Sequence, residues 1–211
     1  MANLAVKEEK AINQIYEKLN NSINSKGYGS MIVCGGRSPV NLFNKLSHLE
    51  LQWQKIKIIL VDDRLVDSES QDSNESLLYK HLLCNNAIDA EYISLKNEAS
   101  KVLSIADKFD IAILGFGDDG HFASLFPDYL NKDKYFSEKA APNILKTKKM
   151  GSPHVERVTM NLSMILRSDQ TYILASTQEK MDILDSAKTN ASLPLFYLIN
   201  NKNIVFDIVT S

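Results

Sequence analysis

The chain contains little cysteine, and this limits the classes of protein to which it can belong. Among 211 residues only Cys34 and Cys84 carry thiols. Two thiols this far apart provide neither a disulfide framework nor a closely spaced pair of zinc ligands. The sequence also lacks a His-Glu-x-x-His motif, the zinc-binding pattern of many metalloproteases. We therefore expect a reducing compartment, no metal and no other cofactor.

Excess charge and long apolar runs are lacking as well. The formal net charge is −2, so no global attraction to nucleic acid or anionic lipid is expected. No apolar run approaches the ~20 residues of a membrane span. Residues 1–10 are too polar and charged for the apolar core of a signal peptide. These absences predict a cytoplasmic protein that binds neither nucleic acid nor membranes.

What is present is an alternation of apolar runs with helical patterns. A chain of this length, with 44% hydrophobic and 24% charged residues, suits a single domain over residues 1–211. Short apolar runs predict strands at residues 30–34, 55–61, 91–95, 111–114, 170–175 and 204–208. Amphipathic spacing predicts helices at residues 3–25, 40–46, 72–83, 97–108 and 178–188. The alternation predicts an α/β fold with a single doubly wound, mostly parallel sheet and helices on both faces, of Rossmann-like type.

The most informative segment is residues 110–128. Its apolar run is followed by Gly115, Gly117 and Gly120, and His121 stands at the end of this glycine-rich turn. In open α/β sheets, ligands bind outside the carboxyl ends of the strands. We therefore expect His121 to lie where a reactive group is needed.

The same glycines fit G-x-G-x-x-G, the pattern of dinucleotide-binding turns. Asp118 and Asp119 lie inside the turn, however, and their carboxylates would repel a pyrophosphate. Pro127 follows too soon for a long helix facing that ligand. A nucleotide site is therefore the less favoured interpretation.

A second glycine turn follows the strand predicted at residues 30–34. It consists of Gly35, Gly36, Arg37 and Ser38, with Pro39 at the expected first helical position. Free N–H groups at a helix start suit an anion, and the side chains of Arg37 and Ser38 add donors. A plain tight turn is the alternative.

Charged residues follow two other predicted elements. Asp62, Asp63 and Arg64 come directly after the strand at residues 55–61; they form either a structural ion pair or a site for an anion and sugar hydroxyls. A carboxylate here would orient the imidazole of His121 if the two lie close together. Residues 132–149 hold six lysines against two acids. We interpret this stretch as a solvated loop, with attraction of an anionic substrate as the alternative.

Residues 117–127 read Gly-Asp-Asp-Gly-His-Phe-Ala-Ser-Leu-Phe-Pro. This resembles the signature of 6-phosphogluconolactonases, Gly-x-Asp-Gly-His-Thr-Ala-Ser-Leu-Phe-Pro, with Phe122 in place of the usual Thr. The related glucosamine-6-phosphate deaminases and isomerases share Asp-Gly-His but continue differently, so residues 124–127 favour the lactonase branch. Further matches follow the family's order at residues 35–39, 62–64, 73–74 and 153–159 and at Lys180.

The resemblance implies a fold of the sugar-phosphate isomerase/lactonase type and hydrolysis of 6-phospho-D-glucono-1,5-lactone in the oxidative pentose phosphate pathway. It implies that the ligand is a phosphorylated sugar. We expect the protein to be a monomer or a small homo-oligomer. His121 is the expected general base, with Asp62 and Arg64 as further catalytic residues. Either Arg64 or N–H groups of the turn at residues 115–120 would stabilise the oxyanion. The expected substrate-binding residues are Gly35, Gly36, Arg37, Ser38, Gly117, Asp119, Gly120, Arg157 and Lys180.

Two alternatives remain. An isomerase or deaminase acting on an amino-sugar phosphate would use Asp62 as base and His121 to open the ring, but Arg64 and residues 124–126 argue against it. A non-catalytic sugar-phosphate sensor usually has an added DNA-binding segment, and no basic helix-turn-helix is visible. The sequence contains no G-x-S-x-G motif, so a serine nucleophile of that type is not expected.

Overall fold

The structure is a computed structural model that describes residues 5–210. Ten strands are described: β1 Ala5–Lys7, β2 Gly29–Val33, β3 Ile56–Leu60, β4 Asp62–Arg64, β5 Glu91–Tyr92, β6 Phe109–Leu114, β7 Ile144–Lys146, β8 Arg157–Met160, β9 Ser168–Leu174 and β10 Phe206–Thr210. The α-helices are α1 Glu8–Lys26, α2 Val40–Leu46, α3 Asn74–His81, α4 Ala99–Ser104, α5 Asp133–Phe136, α6 Leu162–Ile165, α7 Gln178–Ala187 and α8 Pro194–Ile199. Short 3-10 turns lie at Trp53–Lys55, Asn85–Asp89 and Pro127–Tyr129.

Seven strands form one sheet in the order β1-β10-β9-β6-β2-β3-β5, and each neighbouring pair is parallel. All residues of β2 and β6 are buried, as expected for central strands of a parallel sheet. The chain runs from β2 outward to β3 and β5, then returns to the other side of β2 with β6. The strand order therefore reverses between β2 and β6, where a doubly wound sheet opens a crevice for ligands. The predicted α/β class is confirmed.

Helix α1 covers the sheet by packing against β2, β6 and β10. Its apolar face contributes Ile12, Ile15, Leu19 and Ile23 to the core. The helix ends at Gly27, whose φ of 86° is left-handed and whose N–H donates to the carbonyl of Ile23. Glycine permits this conformation at little steric cost, which explains why the helix ends there.

One buried carboxylate, Asp110, lies near the amino end of β6. It accepts hydrogen bonds from the hydroxyls of Ser22 and Ser30 at 2.6 and 2.8 Å and from the backbone N–H of Ser30 at 2.7 Å. Lys26 adds an ion pair at 2.9 Å. Because these partners satisfy the charge, Asp110 ties α1 and β2 to β6 at the edge of the sheet opposite the crevice.

A second, antiparallel sheet in the order β4-β8-β7 was not predicted. It begins where the chain leaves β3: the N–H of Val61 donates to Val33 within the large sheet, and its carbonyl accepts from Met160. The next residue, Asp62, pairs with Thr159 of β8. The small sheet therefore fixes the backbone of β4 at the carboxyl end of β3.

Several predicted boundaries were wrong. Residues 5–7 form β1 rather than the start of a helix, while residues 3 and 4 lie outside the described residues. Helix α2 begins at Val40, so Pro39 precedes its first residue. The strand at residues 91–95 is reduced to β5, and the helix at residues 97–108 to α4. The loop expected at residues 132–149 contains α5 and β7, because Tyr135 and Phe136 are buried in the core. No helix within residues 5–210 is long and apolar enough to cross a membrane.

Candidate active site

A cavity of about 150 Å³ opens at the carboxyl ends of β2, β3 and β6. This is the edge at which the strand order reverses. The loops after these strands, together with β4, α3 and β8, supply its walls. It is lined by Cys34, Gly35, Gly36, Ser38, Asp62, Arg64, Asn74, Gly115, Phe116, Gly117, His121, Ala123 and Arg157.

The turn after β6, residues 115–121, is called the histidine turn below. The N–H of Gly117 donates to the carbonyl of His121 at 2.7 Å, and the N–H of Gly120 donates to Gly117 at 3.1 Å. A Cβ at position 117 would lie only 2.2 Å from Cε1 of the imidazole of His121. Glycine at this position is therefore required for space: it lets the imidazole lie against the backbone of its own turn.

The imidazole of His121 is held on two sides. Its Nδ1 contacts the carboxylate Oδ1 of Asp119, which also accepts the backbone N–H of His121 at 3.1 Å. The ring stacks on Phe126 with centroids 4.5 Å apart, and the side chain is 28% exposed. Partial burial would raise the pKa of Asp119, but the hydrogen bond and charge of His121 outweigh it and hold that pKa below its usual value. The arrangement points Nδ1 at a carboxylate, so Nε2 is the ring nitrogen that this contact does not occupy.

The opposite side of the cavity is formed by Asp62, Arg64 and Arg157, called the arginine wall below. Asp62 is buried and accepts a 2.5 Å hydrogen bond from the hydroxyl of Ser124. Thr159 in turn accepts the backbone N–H of Ser124 at 3.2 Å. Burial raises the pKa of Asp62, while the bond from Ser124 and the charges of the two arginines oppose that rise. Asp62 is thus a structural centre for the wall as well as part of its lining.

Arg64 is positioned by Asn74, the first residue of α3. Its Nη1 donates to Oδ1 of Asn74 at 2.7 Å and to the carbonyl of Asp72 at 3.0 Å. The side-chain amide of Asn74 donates to the carbonyl of Asp62 at 2.9 Å. A Cβ at position 35 would lie 2.0 Å from this amide, so Gly35 makes room for it. The Nε of Arg64 is buried and has no hydrogen-bond partner among the described residues.

Asp63 braces this arrangement from behind. Its carboxylate is buried and accepts the N–H groups of Arg64 and Asn74 at 2.8 and 2.7 Å. Lys96 lies 2.8 Å from it and 3.2 Å from Glu75, with a side chain only 12% exposed. A buried charge is tolerated when it is paired and hydrogen-bonded, as this one is. Asp63 is therefore structural, but its ion pair is with Lys96 and not, as the sequence suggested, with Arg64 of the same segment.

Arg157 in β8 completes the wall. Its Nε donates to the carbonyl of Met150 at 3.3 Å, and its Nη2 donates to Pro153 at 3.2 Å. Its Nη1 lies 4.0 Å from Oδ2 of Asp62. The guanidinium stacks over the ring of Phe126, and the imidazole of His121 stacks on the same ring. Burial lowers the pKa of Arg157, and the charge of Asp62 opposes this. Phe126 is thus the packing link between the two sides of the cavity.

Cys34 follows β2 and lines the cavity floor. Burial raises the pKa of its thiol to about 12. A nucleophilic cysteine needs a lowered pKa to supply thiolate near neutral pH. Cys34 is therefore a small packing residue rather than a nucleophile.

The chain after Gly120 decides the nucleotide question. A dinucleotide-binding turn leads directly into a helix whose N-terminus faces the pyrophosphate. Here the described chain turns through His121 into two short bridges around Phe122 and then the 3-10 turn Pro127–Tyr129. The structure therefore lacks, after Gly120, the helix that this ligand needs. Among the described residues, no group of three or more His, Cys, Asp or Glu side chains could hold a metal ion.

Comparison with known proteins agrees with this geometry. Residues 4–206 match the family model described as glucosamine-6-phosphate isomerases/6-phosphogluconolactonase. The chain is 34% identical to a 6-phosphogluconolactonase of Helicobacter pylori, with 93% of this chain and 90% of that protein covered. The chain belongs to this family.

Two further relatives extend the comparison. A 6-phosphogluconolactonase of Neisseria meningitidis is 29% identical over 96% of this chain and 93% of its own length. The crystal structure of a 6-phosphogluconolactonase from Shewanella baltica superimposes with a TM-score of 0.83 at 26% identity, covering 99% of this chain and 96% of that one. Membership of the family therefore extends over nearly the whole chain, in sequence and in fold.

Most of the residues predicted for the site of this family member do meet at the cavity. These are Gly35, Gly36, Ser38, Asp62, Arg64, Gly117, His121 and Arg157. Asp119 and Gly120 instead shape the histidine turn behind the lining. Arg37 is exposed and, like Lys180, is not among the lining residues. The Nζ of Lys180 reaches the rim, however, where it donates to the carbonyl of Phe116 at 2.8 Å.

Asn74 and Ser124 were given no role by the sequence analysis. Asn74 lies in the Ser-Asn match at residues 73–74, and Ser124 was used only to choose between branches of the family. Their contacts to Arg64 and Asp62 are long-range in sequence. The motif match at residues 73–74 was the one signal that could have pointed to Asn74.

Proposed function

We propose that the protein hydrolyses 6-phospho-D-glucono-1,5-lactone to 6-phospho-D-gluconate, the second step of the oxidative pentose phosphate pathway, with His121 as general base. The observation that carries this proposal is the pairing of His121 Nδ1 with Asp119 on a ring that lines the same cavity as Arg64 and Arg157. An imidazole oriented by a carboxylate and open at its other nitrogen suits activation of a water molecule.

The reaction needs few groups, because the ester is already activated within a strained ring. His121 Nε2 accepts a proton from water as the water oxygen bonds to C1 of the lactone. The bond between C1 and the ring oxygen then breaks, and the imidazolium returns the proton to that oxygen. No covalent intermediate with the protein is required, which fits the protonated state of the thiol of Cys34.

Arg64 is the proposed donor to the oxyanion that develops at C1. The alternative donors were the N–H groups of the histidine turn, but those of Gly117 and Gly120 already bond within the turn. Arg64 lines the cavity, is fixed by Asn74 and has a buried Nε without a partner among the described residues. A positioned donor of this kind contributes on the order of 3 kcal/mol to catalysis. Asp62 keeps the wall ordered through Ser124 and Arg157.

The 6-phosphate is assigned to cations and donors around the mouth of the cavity. Ser38 lines the cavity. Lys180 lies at its rim, where its ammonium donates a hydrogen bond to the carbonyl of Phe116. Arg37 is exposed on the same turn as Ser38 and is available to a ligand that projects outward. Arg157 adds positive charge from the buried side. Holding the phosphate there would orient C1 toward His121.

A coupled assay with freshly made lactone, corrected for spontaneous opening, tests this function. His121→Ala should lower kcat by at least about 100-fold, because it removes the general base, while the unfolding temperature stays close to that of the wild type. His48→Ala is the matched control, because His48 is exposed and its ring contacts its sequence neighbours Ser47 and Asn44. A wild-type rate in His121→Ala would contradict the assignment of the base. Release of ammonia from glucosamine 6-phosphate would instead support the deaminase alternative.

The sequence-based expectations of a cytoplasmic location, one domain over residues 1–211 and a monomer or small homo-oligomer are kept as part of this proposal. Both cysteines are free thiols in the structure, which supports a reducing compartment. Chromatography with light scattering on the purified chain would determine its oligomeric state.

A further inference from the structure

The rim of the cavity contains an ion pair that the proposed reaction does not use. Lys180 Nζ donates to two oxygen atoms, the carbonyl of Phe116 and Oδ1 of Asp118, each at 2.8 Å. The lysine side chain is only 22% exposed, whereas that of Asp118 is 92% exposed. The same ammonium also lies 5.2 Å from the ring centroid of Phe116. One partner of Lys180 is therefore part of the cavity wall and the other projects into solvent.

The two partners differ in how easily they can be replaced. Phe116 directly follows Gly115 at the end of β6, and its backbone is fixed by a bridge to Phe122. Asp118 lies at the tip of the histidine turn, and the hydrogen bond and charge of Lys180 hold its pKa below the usual range. A carboxylate that is so exposed gains little from a single ion pair. Asp118 can therefore leave Lys180 by rotating its side chain into water, while the carbonyl stays in place.

We propose that Asp118 is an internal competitor of the substrate phosphate for Lys180 and so sets the affinity for phosphorylated ligands. This inference rests on the proposed function. In the free protein, Asp118 and the carbonyl of Phe116 together hold the ammonium of Lys180 at the rim. A phosphate dianion carries more charge and more acceptor oxygens than a carboxylate, so it displaces Asp118 from Lys180. The displaced carboxylate remains near the phosphate and weakens its binding by repulsion.

The proposal predicts a change in affinity without a change in chemistry. Asp118→Asn should lower the KM for the phosphorylated lactone about two- to five-fold, the range expected for an exposed ion pair, and leave kcat within about two-fold. Kinetics with unphosphorylated glucono-1,5-lactone should be the same in wild type and variant, because that substrate has no phosphate. High salt should bring the two KM values for the phosphorylated lactone together.

Two controls separate competition for Lys180 from a general effect of charge. Asp107→Asn also removes one exposed carboxylate from an ion pair, here with Arg167 at 3.5 Å, but it precedes the amino end of β6. It should leave KM unchanged. In a Lys180→Met background, Asp118→Asn should no longer lower KM. An unchanged or raised KM in Asp118→Asn alone, or an equal decrease without Lys180, would overturn the proposal.

Binding of 6-phospho-D-gluconate, measured by calorimetry, distinguishes failure of this inference from failure of the proposed function. Tighter binding to Asp118→Asn without any lactone turnover by the wild type would support the competition and reject the lactonase function. Turnover by the wild type with equal or weaker binding to the variant would support the lactonase function and reject the competition. Absence of binding to both proteins would reject the competition.

Discussion

The histidine turn and the arginine wall face each other across one cavity, but their charged groups are held in different ways. In the wall, Asp62 and Arg157 are buried, as is Asp63 behind it. Several hydrogen bonds and the strand pairing of both sheets fix these residues. In the turn, Asp118 and Asp119 are exposed and His121 is half-buried. The difference separates two tasks. A buried wall held by many hydrogen bonds keeps its geometry when a ligand arrives, whereas an exposed turn leaves a proton carrier accessible to water and substrate.

The largest effect expected from this comparison is on stability, in the wall. Asp63→Ala removes the nearer of the two carboxylate partners of Lys96 and leaves two backbone N–H groups without their acceptor. Breaking a buried pair in this way costs about 3–5 kcal/mol of unfolding free energy, which urea denaturation would measure. The double variant Asp63→Ala with Lys96→Met should recover part of the loss, because the buried ammonium that has lost one of its two partners is then removed as well. A loss below about 1 kcal/mol in the single variant would mean that the charged groups of the wall contribute no more to stability than the exposed groups of the turn.

A smaller effect, on rate rather than stability, is expected in the turn. Asp119→Asn replaces an acceptor for His121 Nδ1 with a group that can also donate, so the imidazole loses its preferred tautomer. We expect kcat to fall about ten-fold or more, with little change in unfolding temperature because the residue is exposed.

The pH dependence of this effect follows from the pKa of Asp119. That pKa is lowered, so the carboxylate is charged throughout the neutral range, and its contribution is lost only as the pH falls through the lowered value. The ratio of wild-type to Asp119→Asn rates should therefore be constant from about pH 6 to 9. A ratio that changes across this range would contradict this prediction.

The smallest effect is expected at the cavity floor, which belongs to neither side. Cys34→Ala should keep kcat within about two-fold, because a thiol whose pKa is raised to about 12 stays protonated at neutral pH. Alkylation with iodoacetamide at pH 8, followed by mass spectrometry, should modify the partly exposed Cys84 well before the buried Cys34. Rapid modification of Cys34 with loss of activity would place a reactive group outside both the turn and the wall.

The sequence revealed the histidine turn more fully than the wall. The run at residues 111–114, the glycines after it and His121 are adjacent in sequence, so local pattern alone placed them at a strand end. The helix at residues 40–46 was likewise found, apart from the place of Pro39 just before it, since its apolar spacing and the preceding Gly-Gly-x-x-Pro agree.

The wall could not be read in the same way, because it is assembled from distant segments. Strand β4 consists of Asp62, Asp63 and Arg64, which have low strand propensity and no apolar alternation. It is a strand only because β8, about 95 residues later, pairs with it. The bonds from Ser124 to Asp62 and from Asn74 to Arg64 likewise depend on this tertiary arrangement. Resemblance to the family identified the charged residues, but not the contacts that hold them.

Val61 makes one side of the cavity harder to deform than the other. Its amide hydrogen is committed to Val33 of the large sheet and its oxygen to Met160 of the small sheet, so any displacement of the neighbouring Asp62 must deform both. The loop that carries His121 is held mostly by bonds within the turn, with one bond from the N–H of Leu195 to the carbonyl of Gly120. Laboratory evolution toward bulkier sugars should therefore accept substitutions at the exposed position 118 of that loop before it accepts any at positions 61–64.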